Sequence, residues 1–236
     1  MRRRDFVKAC AIGAGCASLA PSSLLADRNL RPRYYERVRL VQPGGDPLRA
    51  AALERRRNYV FSYPFQATPA FLFDLGAPAT PSQTLRTEDG ASYQAHQGVG
   101  ADGSIVAYCA ICAHKMAHPT PAVSYIRFRE ARNSDEPETG VISCCAENSL
   151  YDPLRGAQVL DGPAKQPLAA ILLEHDAASD ELFAVGTLGG EMFDRFFSEF
   201  EARLSLEYPQ GDARAPVSGE VTVETLDRYS SNIMRC

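Results

Sequence analysis

The chain has 236 residues, 45% of them hydrophobic, with 25 Lys and Arg against 29 Asp and Glu for a formal charge of −4. That is enough apolar chain for one or two folded domains, and it excludes a disordered or fibrous polymer. The basic residues are mostly arginine and are scattered, which excludes a nucleic-acid partner, since a phosphate-binding face needs a clustered basic excess.

Arg3, Arg4, Asp5, Phe6, Val7 and Lys8 read R-R-x-F-V-K and precede an Ala/Gly-rich apolar stretch over 9–26. This looks like a bacterial twin-arginine export signal, so 1–26 is expected to be an address and not part of the fold. That route carries proteins already folded, usually around a cofactor. The expectation is therefore a cofactor protein of the bacterial periplasm or of the periplasmic face of the inner membrane. Anchoring in the membrane through this N-terminus is the alternative to cleavage, because no clean A-x-A site is present. The apolar stretch, interrupted by Gly13, Gly15 and Pro21, falls short of the ~20 apolar residues a bilayer core needs.

Residues 27–57 form a polar, arginine-rich lead-in with one alternating run at 38–41 and a turn at Pro43, Gly44, Gly45, Asp46 and Pro47. Alternating aromatic and β-branched residues at 58–63 and an apolar run at 70–75 predict strands, each stopped by Pro or Gly. The stretch 76–103 is polar and turn-forming, with His96 a solvated loop histidine. A short strand at 104–108 then delivers Cys109 and Cys112. Strands are also expected at 122–128 and 140–143, on either side of a charged, mobile connector. A hairpin of 169–174 with 181–185 follows, with His175 at its turn.

Met192, Phe193, Phe196, Phe197, Phe200 and Leu204 fall at helical spacing, so 191–207 is expected to be one amphipathic helix packed on the domain. A linker at 209–219, a short strand at 221–224 and a polar tail complete the chain. The fold class is all-β with a C-terminal amphipathic helix. The organisation is 1–26 signal or anchor, 27–57 lead-in, 58–190 domain and 191–236 helix and tail.

Of seven cysteines, Cys10 and Cys16 lie in the signal and Cys236 in the tail, open to oxidation or cross-linking. The other four form two clusters, Tyr108-Cys109-Ala110-Ile111-Cys112-Ala113-His114 and Ser143-Cys144-Cys145-Ala146-Glu147-Asn148-Ser149-Leu150-Tyr151-Asp152. The second runs on through Pro153, Gly156, Ala157, Gly162, Pro163, Ala164, Pro167 and Leu168. Two disulfides are a competing use of four cysteines in an oxidising compartment, although adjacent Cys144 and Cys145 would bridge one another only through a strained ring. A zinc ribbon would need a second C-x-x-C where this chain has adjacent cysteines.

The two clusters, with Cys112-x-His114 in the first and the Tyr-Asp-Pro and Gly-Pro-Ala segments after the second, resemble the Rieske iron-sulfur family over roughly 59–186. The resemblance implies stacked antiparallel sheets with a cluster-binding subdomain. It also implies a [2Fe-2S] cluster whose iron is held by Cys and His from two loops. The residues carried over are Cys112, His114, Cys144 and Cys145. The disulfide that ties the two loops in respiratory-type members would fall at Ala117 and Ala146, so that tie is absent here.

The fourth ligand also departs from the family pattern. Reading back from Tyr151 pairs Cys144 with Glu147 and puts Asn148 at a position where the family has glycine. Asn is the side chain best suited to replace Gly in a left-handed backbone conformation. Shifting by one pairs Cys145 with Asn148 instead. The candidates for the missing ligand are Glu147, Asn148, Cys109 and His118, with Glu147 or a spare cysteine ranking ahead of His118. An anion in place of a neutral imidazole should lower the reduction potential.

The reading is a one-electron carrier without its own substrate site. By resemblance its partner is a cytochrome or a membrane quinol-oxidising complex. The competing readings are a cluster-free structural module and a Cys-pair protein, either a zinc site or a dithiol at Cys109-x-x-Cys112.

Overall fold

The computed structural model describes residues 29–79 and 83–236. The twin-arginine motif, its apolar stretch, Cys10 and Cys16 lie outside the described residues.

The first half of the chain supplies β1 (Arg33–Val41), β2 (Tyr59–Ser62), β3 (Pro69–Asp74), β4 (Thr84–Arg86), β5 (Ser92–Gln94) and β6 (Ile105–Cys109). Next come β7 (Ile126–Arg129), β8 (Val141–Cys144), β9 (Ser149–Asp152) and β10 (Gln158–Asp161). After β11 (Ala170–Asp176) and β12 (Glu181–Leu188), the chain forms α1 (Phe193–Glu199) and α2 (Glu201–Glu207). It ends with β13 (Glu220–Thr222), β14 (Glu224–Thr225) and α3 (Leu226–Tyr229).

These strands make an eight-stranded sheet in the order β13-β1-β12-β11-β6-β3-β2-β14, a four-stranded sheet β10-β9-β8-β7 and a small β4-β5 pair. Every pairing is antiparallel except β1 with β13. The protein is thus mainly β. The lead-in and the tail are both woven into the large sheet. The outermost strands β13 and β14 come from one stretch of chain, with only Val223 between them, so the sheet curls until its two ends meet.

Because successive side chains of a strand point to opposite faces, the large sheet feeds two cores. In β3, Ala70 and Leu72 enter one and Phe71 and Phe73 the other; in β6, Ala107 and Cys109 oppose Val106 and Tyr108. The first core is closed by the aromatic stripe of α1, with Phe65 meeting Phe193 and Phe197 edge-on, each at 5.6 Å between ring centroids. The second core is the seam between the two larger sheets, where Phe73 meets Phe128 at 5.4 Å beside fully buried Ile126, Ile142 and Tyr151. Each such side chain contributes about 1.5–3 kcal/mol by leaving water.

Three expectations are corrected. The single helix over 191–207 is two short helices, broken at Phe200, whose φ of −106° leaves the helical range. The turn-rich stretch 76–103 contains β4 and β5. Their Leu85 and Tyr93, with Ala95, cover Leu172, Phe183 and Val185 on the outer face of β11 and β12, and strands of three residues are too short to show a period. The connector after β7 is fastened, since Arg129 donates to both carboxylate oxygens of Glu136 at 2.6 and 2.7 Å with both side chains largely buried. His175 closes the β11–β12 hairpin, with Nε2 2.8 Å from Asp180.

Cys145 is joined to Cys236 by a disulfide across 91 residues, with Cα atoms 5.3 Å apart. The chain before Cys236 lies beside the start of β7, where the Ser124 N–H donates to Asn232 and the Met234 N–H to Ser124, at 2.8 and 2.9 Å. A link of this span removes much of the freedom of the unfolded chain. Replacing Cys236 with Ser is therefore expected to lower unfolding free energy by about 2–4 kcal/mol, read from urea denaturation of the metal-free protein with and without reductant.

Candidate metal centre

Strand β6 runs out of the large sheet into the first cysteine loop, and β8 runs out of the small sheet into the second. Both loops therefore leave the same seam. The first is a tight turn: the Met116 N–H donates to the Cys112 carbonyl at 3.0 Å and the Cys112 N–H to the Ala117 carbonyl at 2.9 Å, with Met116 at φ 55°. In the second, Asn148 takes φ 59°, the left-handed conformation expected of a residue standing in for glycine.

The Gly162-Pro163-Ala164 segment packs behind this second loop. A Cβ on Gly162 would lie 2.5 Å from the Asn148 carbonyl oxygen and 2.6 Å from Ser149 Cα, so glycine is required for the approach. The preceding Tyr151-Asp152-Pro153 segment is shaped by Asp152, which accepts the Leu154 N–H at 3.0 Å and caps the short 3-10 turn Pro153–Arg155.

The seam brings Cys112 and Cys144 together. Both are free and buried in the same core, close enough that each displaces the acidity of the other. The Tyr151 hydroxyl, buried with its ring, lies 3.2 Å from Cys112 Sγ and accepts the Ala113 N–H at 3.2 Å. The hydrogen bond from Cys144 pulls the Cys112 thiol below its usual range despite burial, with Tyr151 assisting. Cys144 is pushed up by the same bond and by burial.

Beside this pair stands a second one. His114 Nδ1 lies 3.6 Å from Glu147 Oε2, too far for a hydrogen bond. The nitrogen is buried and has no partner, and buried Ser149 Oγ is likewise unpartnered. Lys115 Nζ meets the other Glu147 oxygen at 2.5 Å and, with the nearby His114, holds the carboxyl below its usual range. The His114 and Glu147 side chains are 24% and 37% exposed, so the second pair forms the rim of the site and the thiols its floor. Among the described residues, no three His, Cys, Asp or Glu side chains are gathered as a single ion would require.

The remaining candidates fall elsewhere. Cys109 points into the first core, away from Cys112, and burial pushes its thiol up to about 12; the C-x-x-C spacing does not make a dithiol. Cys145 is occupied by Cys236 and has no thiol to offer. His118 is buried against Phe196 and Phe200, with Nδ1 2.6 Å from the Met116 carbonyl and Nε2 2.5 Å from Arg203 Nη2. It lies in the helix packing and not at the site. Asn148 is exposed and serves through its backbone. Sequence reasoning missed Ser149 and the hydroxyl of Tyr151 as site groups, although both lie in the quoted second cluster.

The donor chemistry suits a two-iron, two-sulfide group. The site offers two thiols on one side and an imidazole nitrogen and a carboxylate on the other, and both the imidazole's Nδ1 and the nearby Ser149 Oγ are buried without a hydrogen-bond partner.

No protein-family model matches the chain. Among solved structures, it is similar to the soluble domain of Rieske protein II from Sulfolobus acidocaldarius, at 24% identity over 56% of this chain and 68% of that chain, with a TM-score of 0.40.

Two outcomes follow from this geometry. Tyr151→Phe strands the Ala113 N–H and removes the hydroxyl beside Cys112 Sγ, and is expected to cost about 1–2 kcal/mol. Ser149→Ala removes a hydroxyl that has no partner and is expected to leave the metal-free protein as stable as before; urea denaturation compares the two. The second outcome concerns His118, whose pKa burial lowers to about 4, with the Arg203 charge adding to the effect and the Met116 carbonyl opposing it. The unfolded imidazole binds its proton near 6.5, so the stability tied to this ring is complete above that pH and is lost as pH falls toward 4. The loss is on the order of 3 kcal/mol, and it is measured as the difference in pH dependence between the protein and a His118→Asn variant.

Proposed function

We propose that the protein carries single electrons on a [2Fe-2S] cluster held by Cys112, Cys144, His114 and Glu147. The observation that carries this reading is the meeting of two buried thiols with a buried, unpartnered His114 Nδ1 that faces a carboxylate. The sequence resemblance of both loops to the Rieske family adds to it. When bound, such a cluster supplies reversible one-electron transfer.

The residues divide the work. Cys112 and Cys144 hold the buried side of the group, and Tyr151 orients Cys112 while excluding water from it. His114 and Glu147 hold the exposed side. Glu147 brings a negative charge where the family resemblance would place a neutral ring, which sets the potential lower, and it leaves His114 as the one ligand able to exchange a proton. Lys115 keeps Glu147 ionised and offsets part of its charge.

Export by the twin-arginine route belongs to the same proposal. It is supported by the R-R-x-F-V-K motif and by the Cys145–Cys236 disulfide, a bond that persists in oxidising compartments. Among the described residues no helix is long and apolar enough to cross a membrane. The proposed redox partner is a cytochrome or a membrane quinol-oxidising complex. It would dock at the exposed His114–Glu147 rim, next to an apolar hollow of about 340 Å³ that includes Met116, Ala146 and Phe200.

A second reading follows from the meeting of the two free, buried thiols Cys112 and Cys144: as a dithiol they would pass two electrons and two protons to a disulfide of a partner protein, which is reduced to two thiols as the Cys112–Cys144 disulfide forms. The test is iron and acid-labile sulfide analysis of anaerobically prepared protein, with the paramagnetic resonance spectrum after dithionite reduction. About two irons and two sulfides per chain with a rhombic signal are expected, and Glu147→His is expected to raise the potential by on the order of 100 mV. A colourless, iron-free protein carrying a Cys112–Cys144 disulfide would replace the cluster reading with the dithiol one.

A further inference from the structure

The two loops are not covalently tied to each other, since Ala117 and Ala146 occupy the positions where the family resemblance would place the tie. Between them run the Tyr151 hydroxyl's contacts to Cys112 Sγ and the Ala113 N–H, the neighbouring Cys112 and Cys144 thiols and, at the rim, the His114–Glu147 approach and the Lys115–Glu147 ion pair. With Lys115 67% exposed, that ion pair is screened by water and holds little.

Each loop is instead fastened to the same third piece of chain, 191–236. On the first, His118 makes two ring-nitrogen contacts, one back to the Met116 carbonyl at 2.6 Å and one out to Arg203 of α2 at 2.5 Å. Its ring lies edge-on to Phe196 and Phe200, with centroids 4.9 and 5.0 Å away. Arg203 is itself fixed over the Phe200 ring at 4.5 Å and beside Glu207 at 3.2 Å. On the second loop, Cys145 is bonded to Cys236, whose N–H lies 3.1 Å from Cys145 Sγ, and Arg127 of β7 donates to the Met234 carbonyl at 3.2 Å.

We propose that segment 191–236 is the clamp that holds the two metal-site loops in place, with His118 and Cys236 as positioning residues. By binding Cys145, Cys236 also leaves Cys144 as the one sulfur donor of its loop. The second effect matters because a free thiol next to Cys144 would compete for the metal and exchange with Cys112 and Cys144. The consequence for the loaded protein rests on the two-iron reading; the clamp itself acts in the metal-free protein as well.

The test uses Arg203→Ala and Cys236→Ser in the full chain, with amide hydrogen exchange of the metal-free protein as the first readout. Arg203→Ala is expected to speed exchange in 112–118 roughly tenfold while 143–149 stays unchanged. Cys236→Ser should do the reverse, and β3 and β6 should stay protected in both.

The second readout is peptide mapping after treatment with oxidised glutathione. In Cys236→Ser the Cys145 thiolate attacks the glutathione disulfide and releases one glutathione. The thiolate of Cys112 then displaces the second, giving Cys112–Cys145 cross-links that the unmodified protein lacks. The Cys145→Ala, Cys236→Ala double variant, which has no stray thiol, should show the faster exchange without the cross-links.

On iron reconstitution, Cys236→Ser is expected to lose its metal on gel filtration where the unmodified protein keeps it. Unchanged loop exchange in all variants, with β3 and β6 intact, would overturn the clamp whatever the iron content. The predicted exchange and cross-linking in a protein that never takes up iron would leave the clamp standing and remove the two-iron reading.

Discussion

A strand can aim successive side chains only at opposite faces, and at β6 this single constraint arranges the site. It sends Cys109 into the core closed by the helices, and the chain leaving the strand sends Cys112 into the seam between the sheets. Since β8 enters the same seam from the other sheet and carries Cys144 at its end, two thiols distant in sequence become neighbours. Large aromatic side chains fill the seam around them, so the thiols meet in a place water does not reach.

The contrast between floor and rim is also electrostatic. The buried thiols are served by the neutral hydroxyl of Tyr151 and by backbone N–H groups, as burial demands. The charged groups of the site, Glu147 and Lys115, stay at the surface where their ionisation costs little. A group bound across both would be held covalently on its dry side and tuned electrostatically on its wet side.

Much of this was legible in the chain. Alternation announced β2, and short apolar runs announced β3, β6, β8, β11 and β12, with turn residues marking their ends; β3 and β6 read as unbroken runs because both of their faces lie in cores. The β4–β5 pair was not legible, since its strands are too short to show a period. The break between α1 and α2 was hidden because the hydrophobic spacing runs through it unchanged. At the site, the left-handed conformation of Asn148 was readable from residue type, because few side chains tolerate it. The positions of Cys109 and His118 were not, because spacing places residues along a turn or strand but does not say which of two cores they enter. The pairing of Cys145 with Cys236 depends on a tail that returns across the molecule, and nothing in local sequence records that return.

The curled large sheet has a consequence for synthesis. The stretch 220–225 pairs with β1 on one side and β2 on the other, so it covers both edges that would otherwise be bare. A ribosome makes it after every other strand of that sheet. Until then β1 and β2 each present an open ladder of backbone groups, the kind of template on which a neighbouring chain can assemble. The nascent protein is thus most exposed to self-association just before these six residues emerge, and the same residues end that exposure by closing the sheet.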